Sequence, residues 1–316
     1  MSAKVTRLKS IFPNRQSQKM SQTQKRENLY AYLFLSPWLI GFFGLFLGPG
    51  LVSLYLSFTK YDVLSAPEFI GFDNYTYMFT KDPLFWPSLG RTFYYSLISV
   101  PLAMIGSMFL AMGLNSALKG ISIFRTLFFV PSLVPLVAAV ILWQWLLNSE
   151  FGIVNQGLRA LGAADPPGWF SERSWAIPSL IILSLWQSMG GVQMIIFLAG
   201  LQGIPDSLYD SASVDGANAW QKFLYVTIPM LTSTIFFNTV LGIIGALQTF
   251  SAAFVASGGG PGFATWFFGL HIWKQAFDYY NMGYGAALAW FFAIIIVILT
   301  IIQVRLSNRW VFYYGE

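Results

Sequence analysis

Six long apolar segments are the feature of this sequence that most limits its fold. A hydrocarbon core of about 30 Å needs roughly 20 residues of helix. The segments that reach this length lie near residues 29–58, 92–115, 126–147, 177–201, 226–256 and 283–304. Only 10% of the 316 residues are charged, far below the share in soluble domains. The sequence therefore predicts an all-α, polytopic membrane protein with six transmembrane helices.

The positive charges predict the orientation of the chain. We divide it into an N-terminal tail (1–28), a transmembrane domain (29–306) and a C-terminal tail (307–316). If the N-terminus is cytoplasmic, 12 of the 18 Lys and Arg residues lie on the cytoplasmic side. Cytoplasmic loops carry an excess of Lys and Arg, so we expect both termini inside, and no cleaved signal peptide.

Several classes of function are disfavoured by what the sequence lacks. The chain has no cysteine and one histidine, so we expect neither a disulfide framework nor a metal site. No phosphate-binding loop is present, and the hydroxyls in the spans have no base nearby to activate them. The sequence therefore predicts no catalytic residues, no nucleotide bound by this chain and no nucleic-acid partner.

The stretch 263–277 is too short to span and contains His271 and Lys274. We expect an interfacial helix with Trp266 and Trp273 at headgroup depth, and His271 as a surface or headgroup contact.

A polar interruption separates the fourth and fifth apolar segments. Pro205 starts an acid-containing turn, Asp215 and Gly216 interrupt it, and Pro229 precedes the return to apolar sequence. Pro favours the first turn of a helix, and Gly allows a turn with positive φ. This pattern predicts a helix–break–helix on the cytoplasmic surface, which suits docking to a partner.

The same interruption resembles the cytoplasmic loop of binding-protein-dependent ABC importer permeases, E-A-A-x-x-D-G-A followed by an aromatic-rich helix and I-x-x-P. Here the motif reads DSASVDGA at 210–217 and ends at Ile228-Pro229. Other segments, among them FIGFDNY, FRTLFFVPSLVP and SGGGP, are similar to the carbohydrate-uptake branch, the larger permease subunit of maltose-type importers.

This resemblance implies a type I ABC importer permease fold, with a coupling helix in the loop at about 205–225. By family analogy, the residues that contact an ATPase are Asp210, Ser211, Ala212, Asp215, Gly216 and Ala217. The implied partners are a second homologous permease, an ATPase dimer that binds ATP and Mg, an extracytoplasmic binding protein and a sugar. The implied location is the bacterial inner membrane, with no cofactor in this chain.

Uncharged polar and aromatic side chains in the spans are candidates for the solute path, because sugars combine hydroxyl groups with apolar ring faces. Alignment with the maltose-type relatives adds Met189, Val192, Gly242, Ala246 and Thr249. Our candidate set is Ser132, Trp186, Gln187, Met189, Gln193, Gly242, Gln248 and Thr249.

Two alternatives remain open from the sequence. A secondary transporter or facilitator for a small polar solute could bind a cation through backbone carbonyls at broken helices. A membrane-anchored assembly or receptor subunit would need no solute path at all.

Overall fold

The computed structural model describes residues 22–116 and 118–312, so most of the predicted N-terminal tail and residues 313–316 lie outside the described part. The α-helices are α1 (Gln22–Gly41), α2 (Gly48–Leu56), α3 (Asp73–Thr80), α4 (Phe85–Leu114), α5 (Ile121–Leu133), α6 (Leu136–Leu146), α7 (Ile153–Ala160), α8 (Ala176–Ser188), α9 (Val192–Gln202), α10 (Asp206–Val214), α11 (Ala219–Lys222), α12 (Ile228–Met230), α13 (Thr232–Leu247), α14 (Ser251–Ser257), α15 (Phe268–Trp273) and α16 (Met282–Ser307).

Short irregular elements complete the described chain. The π-helical segments are Phe42–Leu47, Phe223–Thr227 and Lys274–Asp278, and a single 3₁₀ turn covers Trp169–Ser171. Strands β1 (Thr59–Lys60) and β2 (Glu68–Phe69) form a two-stranded antiparallel pair. The regular secondary structure of the described residues is thus almost all helical, which confirms the all-α prediction.

The chain divides into two compact units, residues 1–55 and 56–316. The described part of the first unit consists of α1, a π-helical segment and most of α2. Pro37 lies inside α1, and no residue of α1 or α2 is buried. This unit presents apolar side chains such as Phe34 and Leu45, which are more than 80% exposed.

The predicted spans correspond to three long helices and three bent helix pairs in the described residues. The long helices cover Gln22–Leu56, Phe85–Leu114 and Met282–Ser307. The bent pairs are α5–α6 at 96°, α8–α9 at 47°, and Ala219–Met230 with α13 at 64°. If each bent pair is one span, the described residues contain six spans. The positions of these spans are close to the predicted ones.

Proline and glycine account for two of the bends. Val134 separates α5 from α6 with extended backbone (ψ 125°), because a residue that precedes proline is disfavoured in helical conformation. Between α8 and α9, Gly191 adopts ψ −147°, outside the helical range. The bends therefore follow from local backbone chemistry.

Helix α4 is central to the second unit and packs against α8, α9 and α13. Three buried apolar clusters surround it. One includes Leu180 and Phe267, the second Phe85 and Phe268, and the third Phe197.

The prediction of an interfacial helix over 263–277 with Trp266 at headgroup depth is wrong for Trp266 and the residues next to it. Phe267, Phe268 and His271 are fully buried, and Trp266 is only 6% exposed. The backbone N–H of Phe268 donates to Thr92 Oγ1 at 2.8 Å, which joins α15 to α4. Trp266, Phe267 and Phe268 are therefore part of the protein core, whereas Trp273 is half-buried and Phe263 and Phe277 are exposed.

The prediction of His271 as a surface residue is also wrong, because a buried polar network surrounds it. We call Asp82, Trp266, His271 and Tyr284 the Asp82 cluster. His271 Nε2 donates to Asp82 Oδ2 at 2.7 Å, and Trp266 Nε1 donates to His271 Nδ1 at 3.1 Å. Tyr284 O–H also donates to Asp82 Oδ2. Since Nδ1 accepts a hydrogen bond, the imidazole is neutral and carries its proton on Nε2.

The carboxyl group of Asp82 is fully partnered. Its Oδ1 accepts from the backbone N–H of Leu84 at 2.8 Å. Burial acts to raise the pKa of Asp82, but the hydrogen bonds from His271, Tyr284 and Leu84 outweigh it and hold the pKa of this carboxyl below its usual range. The cluster thus joins the segment before α4, the segment before α15, α15 itself and the start of α16.

Candidate functional site

A cavity of about 510 Å³ lies among α4, α8, α9 and α13, next to the bends of two helix pairs. Its lining residues carry no charge. They are Tyr95, Ser99, Val100, Ala103, Ser132, Ser184, Gln187, Ser188, Gly191, Val192, Gln193, Ile196, Asn238, Leu241, Gly242, Gly245, Ala246 and Thr249. The wall combines hydroxyls, carboxamides and one phenol with small apolar groups, which suits a neutral, hydroxyl-rich solute.

Two glycines bring the α8–α9 bend close to α5. A Cβ atom at Gly190 would lie 2.0 Å from the carbonyl oxygen of Phe128. A Cβ atom at Gly191 would lie 3.1 Å from Ser132 Cβ. Only the absence of a side chain at Gly190 permits this backbone contact, so the two bends share one packed junction.

Two glutamine side chains of the cavity are anchored by hydrogen bonds. Gln187 Nε2 donates to the carbonyl oxygen of Val134, in the α5–α6 bend, at 3.1 Å. Gln193 Oε1 accepts from Ser107 Oγ on α4 at 3.4 Å. A Cβ atom at Gly242 would lie 3.3 Å from Gln193 Nε2, so that glycine makes room for the amide. These bonds orient both amide groups.

Asn238 on α13 differs from both glutamines. Its side chain is fully buried, and neither Nδ2 nor Oδ1 has a hydrogen-bond partner in the described structure. It lies one helical turn before Gly242 in the same cavity wall.

The cavity brings together five of the eight residues predicted for the solute path: Ser132, Gln187, Gln193, Gly242 and Thr249. The other three lie elsewhere. Trp186 packs edge-to-face on Trp143 with ring centroids 5.9 Å apart. Met189 covers Gly106, where a Cβ atom would lie 1.8 Å from its Cε. Gln248 is exposed just after the end of α13.

The predicted set lacks the residues that α4 contributes. Tyr95, Ser99 and Ala103 all line the cavity. They recur every four residues, as expected for one helix face. This four-residue spacing is the sequence signal that could have identified these residues as one helix face.

We call residues 205–225 the docking loop. It contains helix α10, Gly216 in left-handed conformation and the short helix α11. Gly216 has φ +76°. The N–H of Ala217 donates to the carbonyl of Ala212 at 2.9 Å, and the N–H of Gly216 to that of Ser213 at 3.1 Å. These bonds form a Schellman motif, which ends α10. Asn218 and Gln221 then form a capping box that begins α11.

The docking loop exposes acids together with apolar side chains. Asp210, Ser211, Asp215 and Gly216 are exposed, and Ala212 and Ala217 are half-buried. Val214 is 88% exposed and Trp220 63% exposed. The two salt bridges found in the described residues lie elsewhere, so these carboxylates are unpaired there. An acidic surface with exposed apolar residues is typical of a protein-binding site.

The opposite face of α10 packs on the protein. Leu208 and Tyr209 contact the buried cluster around Phe197. Tyr209 O–H and Thr227 Oγ1 are 2.9 Å apart, and Lys222 Nζ donates to Ser213 Oγ at 2.7 Å. The docking loop is therefore held against the membrane-spanning helices by both apolar and polar contacts.

The segment that follows α16 packs next to the docking loop, where it is hydrogen-bonded to the start of α13. The backbone N–H of Phe312 donates to Thr232 Oγ1 at 2.9 Å, and Thr232 Oγ1 donates to the carbonyl of Pro229 at 2.7 Å. The residues that form a small recess under the docking loop include Leu208, Pro229 and Phe312.

The described residues contain no group of three or more His, Asp or Glu side chains that could hold a metal ion.

Comparison with known proteins gives a consistent result. Residues 85–312 match the family model described as "Binding-protein-dependent transport system inner membrane component". The chain is 42% identical to the "Probable ABC transporter permease protein YesP" of Bacillus subtilis, over 93% of this chain and 96% of that protein. It is 33% identical to the "Lactose transport system permease protein LacF" of Rhizobium radiobacter, over 89% and 97%.

A solved structure matches the fold. A chain of a bacterial ABC transporter involved in the import of the acidic polysaccharide alginate superposes with a TM-score of 0.81 at 22% identity. The match covers 91% of this chain and 98% of that one.

Proposed function

The chain belongs to the binding-protein-dependent transport system inner membrane component family, and we propose that its cavity forms part of the solute path of an ATP-driven importer. The observation that carries this proposal is the continuity of the chain from α10 to α13. The docking loop leads through Pro229 directly into the helix that forms one cavity wall. A movement of the loop therefore acts on the cavity through one covalent connection.

The solute we propose is a carbohydrate. The cavity presents neutral hydroxyl and amide groups together with small apolar residues, a combination that binds hydroxyl groups without requiring a charge. The name of the lactose-transport relative supports the same class.

The partners we propose follow from the docking surface and the family. The six docking-loop residues from Asp210 to Ala217 contact an ATPase, and the acids and Trp220 are exposed for this purpose. Two ATPase subunits bind ATP and Mg, a second permease completes the path, and an extracytoplasmic protein delivers the sugar. Both termini lie in the cytoplasm, and this chain does not itself hydrolyse ATP.

Purification in mild detergent through an N-terminal affinity tag tests the assembly. We expect a P-loop ATPase and a second permease to co-purify in fixed stoichiometry, with ATPase activity that a binding protein and its sugar stimulate. Isolation of the chain alone as a homo-oligomer would favour a secondary transporter instead.

A substitution pair at Gly216 tests the coupling. Pro fixes φ near −65°, which is incompatible with the observed +76°. We expect Gly216→Pro to abolish sugar-stimulated ATPase activity while membrane insertion is retained. Gly216→Asn is the control, because Asn tolerates left-handed backbone, and it should keep most of the activity. Unchanged uptake in the proline variant would contradict the coupling role.

A further inference from the structure

Asn238 is the cavity residue whose hydrogen-bonding capacity is left unused. Its amide could donate two hydrogen bonds and accept two, yet the described structure provides no partner for Nδ2 or Oδ1. The side chain is 0% exposed, so bulk water does not replace those partners. Such a group destabilises the state in which it is buried.

Its position argues against a role in packing. The two glutamines of the same cavity are each held by a protein group, Val134 in one case and Ser107 in the other. A leucine at position 238 would have a similar branched shape without an unpaired polar group. The amide therefore has a cost in this state that packing does not explain.

We propose that Asn238 hydrogen-bonds the solute, donating from Nδ2 to one hydroxyl and accepting at Oδ1 from its neighbour on a neutral sugar. This inference rests on the proposed function, since it requires that solute enters this cavity. One turn after Asn238, a Cβ atom at Gly242 would lie 3.3 Å from Gln193 Nε2, so a second cavity amide lies against α13 there and extends the same binding surface.

The burial of Asn238 makes this contact dependent on the conformational state. Helix α13 begins two residues after α12 and is continuous with the docking loop. When the loop moves, α13 moves relative to α4 and α9, and the amide becomes accessible to solute. In the described state it is closed off.

Uptake kinetics of Asn238→Leu test the proposal. The assay uses the tagged complex in proteoliposomes with its binding protein and radiolabelled lactose, maltose and arabinotriose as probes. We expect KM to rise at least about tenfold for the transported probe, because a buried site that loses hydrogen bonds to a substrate discriminates strongly. We also expect the melting temperature to stay equal or rise, since an unpaired amide is removed.

Thr239→Val is the matched control. Thr239 follows Asn238 on the same helix, but its hydroxyl donates to the carbonyl of Ile235 and lies 3.2 Å from Met104 Sδ on α4, and it does not line the cavity. We expect it to leave KM unchanged. A wild-type KM in Asn238→Leu, or a drop in melting temperature without a change in KM, would overturn the proposal.

Cysteine labelling provides a second test that tolerates weak expression of the leucine variant. The chain contains no cysteine, so Asn238→Cys introduces its only thiol. We expect a small methanethiosulfonate to label this thiol several-fold faster during ATP turnover than at rest, and the transported probe to slow that labelling. Thr239→Cys should show neither effect. Labelling of Asn238→Cys that responds to neither ATP nor probe would overturn the inference.

The two proposals fail in different ways. If the wild-type complex transports none of the probes and none stimulates its ATPase, the carbohydrate assignment fails. If it transports a probe and Asn238→Leu does so with the same KM, only the role of Asn238 fails.

Discussion

The Asp82 cluster and the cavity are both polar regions within a largely apolar protein, but they differ in how completely they are hydrogen-bonded. In the cluster, Asp82 accepts three hydrogen bonds and both ring nitrogens of His271 are paired. In the cavity, Asn238 has no partner at either amide atom. A fully paired buried network contributes to stability, whereas an unpaired group persists for another reason.

Hydrogen-bond pairing distinguishes a structural residue from a candidate ligand-binding residue where burial alone does not. His271 and Asn238 are equally inaccessible, at 0% exposure. The partnered histidine holds distant segments of the fold together, whereas the amide of the asparagine keeps its hydrogen-bonding capacity unused in the described state. Substitutions at the two sites should therefore change stability in opposite directions.

Asp82→Ala should have the largest effect. Removal of the carboxylate leaves the N–H of His271 and the O–H of Tyr284 buried without an acceptor, at about 1–3 kcal/mol for each group. We expect a loss of about 3 kcal/mol or more, visible as a much lower melting temperature in detergent. Asp82→Asn keeps an acceptor oxygen and should lose less; equal losses would mean that the hydrogen bonds are not the cause.

Trp266→Phe should have the next largest effect. It removes the indole N–H that pairs with His271 Nδ1 but keeps most of the ring volume. We expect a loss of about 1–2 kcal/mol for the unpaired acceptor. The control is Trp145→Phe, at a 72% exposed tryptophan, which should leave the melting temperature nearly unchanged. Similar shifts in both variants would contradict the importance of the hydrogen bond.

Gln187→Leu should cost less. It removes the donor to the carbonyl of Val134 in the α5–α6 bend. Because one neutral hydrogen bond contributes about 1 kcal/mol net, we expect a loss of about that size in thermal unfolding. No loss would show that water can replace the glutamine at this bend.

Asn238→Leu should have the smallest effect on stability. The direction of the change in stability distinguishes an unpaired amide from a partnered one. Replacement of an unpaired buried amide by an apolar group should leave stability unchanged or raise it by up to about 1 kcal/mol. The comparison is direct, since Gln187→Leu makes the same kind of change at a partnered amide. A clear loss of stability at position 238 would mean that the amide has a structural partner.

Features that depend on local composition were predictable. The positions of the six apolar segments agree closely with the long helices and bent pairs. The helix–break–helix around Gly216 was also predictable, because a left-handed glycine at a helix end has a recognisable pattern. Hydropathy does not detect bends, however, so the 96° angle between α5 and α6 was not predicted.

Features that depend on distant contacts were not predictable from local patterns. His271 resembles an interfacial residue in its own segment, and its partner Asp82 lies 189 residues away in the chain. Likewise, Trp186 and Met189 have suitable chemistry and lie near cavity residues in sequence, but their side chains pack elsewhere. Side-chain direction on a broken helix depends on the bend, which the sequence pattern does not specify.

The contact between Gly190 and Phe128 has a consequence for how this protein can vary in evolution. A methyl group at position 190 would lie 2.0 Å from a backbone oxygen, and no substitution at position 128 removes a backbone oxygen. No second mutation at that partner can therefore compensate for a side chain at Gly190. Relatives that retain the junction between the two bends are expected to keep glycine at this position, whatever solute they carry.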